Sequence, residues 1–132
     1  MLKVAVLVSG GGSNLQSILD YEQDSFKVEM VIGSKDGIYG LERAKNAGVP
    51  SYVVSRKEYG DEVSNKILEL TKGKVDLIVL AGYLSILDGE ILKVFKDRIV
   101  NIHPSLIPSF CGDKMYGKIG RAHVWTPVTV PY

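Results

Sequence analysis

Lys3-Val4-Ala5-Val6-Leu7-Val8-Ser9-Gly10-Gly11-Gly12-Ser13-Asn14-Leu15-Gln16 runs from an unbroken apolar stretch through three glycines into a helical start. Six residues rich in valine, without polar alternation, predict a strand covered on both faces, as in a parallel sheet. Ser13 and Gln16 have the spacing of a capping box, which predicts a helix beginning at Ser13. Strand, glycine turn and helix in that order form the first unit of a βαβ fold. The rest of the chain repeats the rhythm. Strands are predicted over residues 27–32, 51–54, 75–80 and 98–102. Helices are predicted over residues 13–20, 38–47, 61–72 and 88–96, two of them stopping at Gly48 and Gly73. Strands alternating with helices at these lengths imply right-handed crossovers and an α/β, doubly wound, mostly parallel sheet.

Length and composition narrow the function classes. With 132 residues, 45% hydrophobic and 23% charged, the chain is one domain's worth of ordinary globular sequence. A formal charge of +1 offers no electrostatic reason to expect nucleic acid or an anionic membrane as partner. The start, Met1-Leu2-Lys3-Val4, lacks the layout of a signal peptide, and no apolar run is long enough to cross a bilayer. A single cysteine, Cys111, excludes an internal disulfide and fits a reducing compartment. The expectation is a cytoplasmic protein acting on small molecules.

The glycine turn suits a phosphate. Backbone N–H groups can approach a ligand closely there, and the helix start adds partial positive charge. The same glycines also serve a tight strand-to-helix turn with Ser13 as its cap. A dinucleotide fingerprint is not met, because Leu15 stands where a third glycine belongs and no carboxylate closes the second strand. No Gly-Lys-Ser/Thr ending is present either, which excludes a P-loop. A compact phosphomonoester fits better than NAD or ATP.

A second segment carries the chemistry. Asn101-Ile102-His103-Pro104-Ser105 follows the apolar run at residues 98–100. Strand alternation puts Asn101 and His103 on one side and turns Ile102 into the core. Pro104, without an N–H, is expected to end strand pairing. An amide and an imidazole then stand together at the carboxyl end of a strand, where open α/β sheets keep their reactive groups.

From Lys118 the rhythm stops. Ile119-Gly120-Arg121-Ala122-His123-Val124-Trp125-Thr126-Pro127-Val128-Thr129 has no helical or strand period. It resembles one frame of a common sequencing-library adapter, with Trp125 where the adapter carries TGA. The expectation is that the native coding sequence leaves off near Gly117 and that residues 118–132 are foreign to it, so His123 takes no role.

Four blocks in order resemble the phosphoribosylglycinamide formyltransferases: residues 9–16, Ile38-Tyr39-Gly40-Leu41-Glu42-Arg43-Ala44, Leu80-Ala81-Gly82-Tyr83-Leu84-Ser85-Ile86-Leu87 and Asn101-Ile102-His103-Pro104-Ser105-Leu106-Ile107-Pro108. The resemblance covers residues 1–117, read as the N-terminal part of a Rossmann-like formyltransferase domain incomplete at its C-terminus. It implies transfer of a formyl group from 10-formyltetrahydrofolate, a co-substrate, to glycinamide ribonucleotide in purine biosynthesis, without a metal. It implies that Gly12, Ser13 and Asn14 hold the substrate phosphate, and that Leu84, Ser85, Ile86 and Leu87 line the folate pocket. Arg56 resembles a folate-contacting arginine, though a solvated surface cation reads equally well. For Leu84, Ile86 and Leu87 core packing is the competing reading.

In the implied chemistry an amine attacks an activated carbonyl. Asn101 donates to the developing oxyanion, and His103 donates to it and delivers a proton to the departing nitrogen. Ser105 and Cys111 have no neighbouring base, so no covalent enzyme intermediate is expected. The family's downstream aspartate, which orients the histidine, lies on a loop this chain does not reach, so these 132 residues alone are expected to have little activity. Two other readings compete: a different folate-dependent formyltransferase, such as the methionyl-tRNA type, and a non-catalytic phosphate-binding α/β module.

Overall fold

The structure, a computed structural model, describes the backbone of residues 1–21, 25–105 and 126–131, and side chains within the first two stretches as far as residue 102. The elements run β1 (Leu2–Val8), α1 (Ser13–Asp20), β2 (Phe26–Gly33), α2 (Tyr39–Asn46), β3 (Ser51–Val53), α3 (Arg56–Tyr59), a 3-10 turn (Gly60–Glu62), α4 (Val63–Thr71), β4 (Leu77–Ala81), α5 (Glu90–Val94), β5 (Ile99–Ser105) and β6 (Thr126–Pro131). They form one sheet of order β3-β2-β1-β4-β5-β6. The first five strands are mutually parallel, and β6 joins the edge antiparallel to β5.

The continuous apolar runs are explained by burial on both sides. Val4, Val6 and Val8 pack with Leu15 of α1 and Leu41 and Ala44 of α2. Ala5 and Leu7 face the other way, with Ile67 of α4 and Ile91 of α5. Alternate residues of one strand thus enter two separate cores. From β1 the chain winds outward through β2 to β3, then returns to the other side of β1 to lay down β4 and β5. The direction of winding reverses between β1 and β4, and the crevice beyond the carboxyl ends of those two strands is the place for a ligand.

Several expectations are corrected. Ser13 does not cap α1: Gly12, in the left-handed region at φ 77°, takes the cap position, and no side-chain cap bond forms. Gln16 turns elsewhere, its Nε2 donating to Asp20 Oδ1 at 2.9 Å and its Oε1 accepting from Arg43 Nη1 at 3.2 Å. Pro104 does not end pairing. The parallel ladder with β4 stops at Ile102, but the antiparallel ladder with β6 continues through Ser105, with Pro104 opposite Pro127. Antiparallel pairs alternate between hydrogen-bonded and non-bonded sites, and two prolines fit the second kind. The helix expected over residues 61–72 is a 3-10 turn followed by α4, and α3, capped by Ser55 Oγ accepting from Glu58 N–H at 3.2 Å, was not expected. The aperiodic tail contains β6.

Candidate active site

The glycine turn is built by contacts from α2. Gly40 N–H donates to Gly10 O at 3.0 Å. Arg43 Nε donates to Gly11 O at 2.7 Å. Gln16 N–H donates to Gly12 O at 2.8 Å, the first bond of α1. Three consecutive carbonyls are therefore held against the protein. The N–H groups of Gly11, Gly12, Ser13 and Asn14 have no acceptor among the described residues. Unpaired N–H groups at a helix start are an anion-binding surface. Because Ser13 does not cap the helix, its hydroxyl is also left to the solvent side, beside Asn14. Gly11 and Ser13 are exposed, so the turn is open to solvent, and a groove of about 200 Å³ lined by Asn14, Ser17, Ile18, Tyr21, Phe26 and Ile102 runs along the flank of α1 beside it.

Ser9 joins this turn to the loop after β4. The residue is 7% exposed, and its Oγ accepts from Leu84 N–H at 2.8 Å and from the Ser34 hydroxyl at 2.8 Å. One hydroxyl thus links loops leaving β1, β2 and β4 at the switch point. Ser9→Ala is expected to destabilise the protein by about 1–3 kcal/mol, the net worth of two hydrogen bonds. A thermal melt checks this, and an unchanged melting temperature would show the link to be idle. Sequence reasoning did not pick out Ser9; a polar residue closing an otherwise buried strand was its only signal.

The loop after β4 divides its side chains. Leu84 is 86% and Ile86 73% exposed, an unusual amount of apolar surface for two residues so close together. Leu87, at 2% exposure, is a core residue packed with the α4 and α5 side of the sheet. Core packing thus accounts for the Leu87 side chain, while Leu84 and Ile86 are free to meet a ligand. Ser85 is half-buried between them.

Asn101 lies on β5 opposite Leu80 of β4, on the sheet face that carries Ile99. Leu87 packs in that same cluster, so the carboxamide and the loop after β4 share a side of the sheet. Asn101 is half-buried, and its side chain has no hydrogen-bond partner among the described residues. His103 is two residues further along β5, its backbone paired with Val128 of β6. Its imidazole lies outside the described side chains, as do Leu106, Ile107, Pro108, Cys111 and His123 altogether. Arg56 begins α3 after β3, at the same end of the sheet. Its side chain is 64% exposed and its Nη2 lies 3.4 Å from Asp61 Oδ1, an exposed pair contributing little stability. Among the described residues no group of His, Cys, Asp and Glu could hold a metal ion, and no helix is long and apolar enough to cross a membrane.

Comparison with known proteins agrees with this geometry. The Formyl transferase family profile matches residues 2–122. Phosphoribosylglycinamide formyltransferase of Haemophilus influenzae is 43% identical over 122 residues, which are 88% of this chain and 58% of that protein. Trifunctional purine biosynthetic protein adenosine-3 of Drosophila melanogaster is 44% identical over 118 residues, 83% of this chain and 9% of that protein. The chain therefore spans little more than half of the first relative and under a tenth of the second. Among solved structures, glycinamide ribonucleotide transformylase 1 from Symbiobacterium toebii superposes with a TM-score of 0.75 at 31% identity, covering 99% of this chain and 74% of that one. Phosphoribosylglycinamide formyltransferase from Streptococcus pneumoniae TIGR4 gives 0.72 at 34% identity, covering the whole of this chain and 83% of that one. The family profile spans most of the chain and the solved formyltransferases share its fold, so the chain belongs to the formyl transferase family.

Proposed function

We propose that this chain is the amino-terminal part of a phosphoribosylglycinamide formyltransferase, which moves a formyl group from 10-formyltetrahydrofolate to the amine of glycinamide ribonucleotide. The observation that carries the reading is the join at the β1–β4 switch point. On one side of Ser9 stands the row of unpaired N–H groups from Gly11 to Asn14, and on the other the exposed Leu84 and Ile86. The first matches a phosphate ester, the second a flat heteroaromatic ring. The names of the relatives support glycinamide ribonucleotide as the phosphate ester and formyl as the group transferred.

In this reading Gly12, Ser13 and Asn14 hold the phosphate, residues 84–87 flank the pterin through side chains of Leu84 and Ile86 and through backbone, and Arg56 reaches the folate after leaving Asp61. Asn101 donates its N–H₂ to the oxygen that gains charge as the amine attacks the formyl carbon. His103 holds the proton that passes to the departing nitrogen. Residues 118–132 stand, in the same proposal, outside the enzyme's own coding sequence.

The test is a substrate panel on the full-length enzyme, with 10-formyltetrahydrofolate as donor. Formylation of glycinamide ribonucleotide and not of methionyl-tRNA is the expected result. Formylation of the tRNA would move the protein to the other branch of the family, and binding without transfer to either would favour a non-catalytic phosphate-binding module.

A further inference from the structure

We infer that Arg43 is a positioning residue that shapes the phosphate-binding turn from the neighbouring helix without itself being the phosphate's charge partner. The inference rests on the phosphate reading above. Arg43 is half-buried on α2, with its guanidinium carbon 4.8 Å from the centre of the Tyr39 ring one turn earlier. Its Nε donates to Gly11 O at 2.7 Å and its Nη1 to Gln16 Oε1 at 3.2 Å. The fork is thus fixed on three sides: by a ring, by the turn and by α1.

The consequence follows from peptide geometry. In a planar trans peptide the carbonyl and the following N–H point in opposite directions. Holding Gly10 O on Gly40 N–H directs the Gly11 N–H away from α2, and holding Gly11 O on Arg43 directs the Gly12 N–H the same way. A free loop of three glycines would sample many orientations of these two peptides, since glycine loses more conformational entropy on ordering than any other residue. Gly40 fixes the first of these peptides and Arg43 the second before the ligand arrives, so the binding energy of the phosphate is not spent on ordering the turn.

The guanidinium geometry makes the role specific. A lysine at this position would keep the charge but could not donate to Gly11 O and Gln16 Oε1 from one rigid plane. The experiment compares wild type, Arg43→Lys and Arg43→Met in the full-length enzyme, using glycinamide ribonucleotide and its dephosphorylated riboside. Both variants are expected to raise KM for the ribonucleotide roughly 10- to 100-fold, the scale of a lost hydrogen bond from a charged donor. KM for the formyl donor and turnover of the riboside are expected to stay as in wild type. Full rescue by Arg43→Lys would overturn the inference in favour of a plain charge effect. An equal loss with ribonucleotide and riboside would overturn it in favour of general damage to the fold. A wild-type enzyme that does not distinguish the two substrates would instead remove the phosphate reading itself.

Discussion

Asn101→Ala in the full-length enzyme is expected to lower kcat by about 10²–10³, with KM for both substrates little changed, because in the proposed reaction the lost contact forms only as charge builds on oxygen. The structure supports this choice of residue in two ways. The carboxamide has no partner among the described residues to occupy its N–H₂, and it sits in β5 opposite Leu80, on the side of the sheet where Leu87 anchors the loop after β4. His103→Ala is expected to cost roughly 10²–10⁴ in kcat through loss of proton transfer. If the two groups serve one reaction centre, the double variant will lose less than the product of the two single losses. Steady-state kinetics on the three variants decides. Turnover untouched by both single changes would sink the catalytic assignment and leave a binding module.

The second large effect is expected at Gly12, where the fold and the proposed phosphate binding depend on the same missing atom. Gly12 adopts φ 77°, and a Cβ placed there would come within 2.7 Å of Gly40 Cα and 3.2 Å of Arg43 Cδ. The left-handed conformation alone costs a non-glycine residue about 1–2 kcal/mol. The clash is with backbone, which cannot swing aside as a side-chain end would, so α2 must move off the turn. Gly12→Ala is therefore expected to lower the melting temperature and to abolish measurable binding of the phosphate ester, since it breaks the contacts that hold the Gly10 and Gly11 carbonyls. Gly10→Ala is the internal control for stability: a Cβ there meets nothing within 4 Å, so the melting temperature should be unchanged. Equal melting temperatures for Gly12→Ala and wild type would show that α2 does not clamp the turn.

The parallel core was legible for a simple reason. Val4 to Val8, Val31 and Ile32, and Ile78 to Leu80 are buried on both faces, and such strands must be apolar without interruption. The amphipathic spacing of α2 and α4 was legible for the complementary reason, that each buries one stripe. Residues 126–131 were not legible as β6, because edge pairing is decided by what lies alongside, and Thr126-Pro127-Val128-Thr129-Val130-Pro131 has two prolines where an unpaired reading expects a break. Leu84 and Leu87 show the same limit on a smaller scale. Both are leucines of one loop, one 86% exposed and the other 2%, and nothing in their chemistry says which.

Residue order alone determined the doubly wound sheet and the glycine turn between β1 and α1, because each depends on short-range periodicity and backbone sterics. Only the tertiary structure decided what holds the turn. Ser9 to Leu84 spans 75 positions and Arg43 to Gly11 spans 32, contacts that exist because strand order brings β4 beside β1 and packs α2 against the loop. The need for glycine at the cap position, Gly12, has the same origin: Gly40 of α2 lies where its Cβ would be, and local sequence does not show that.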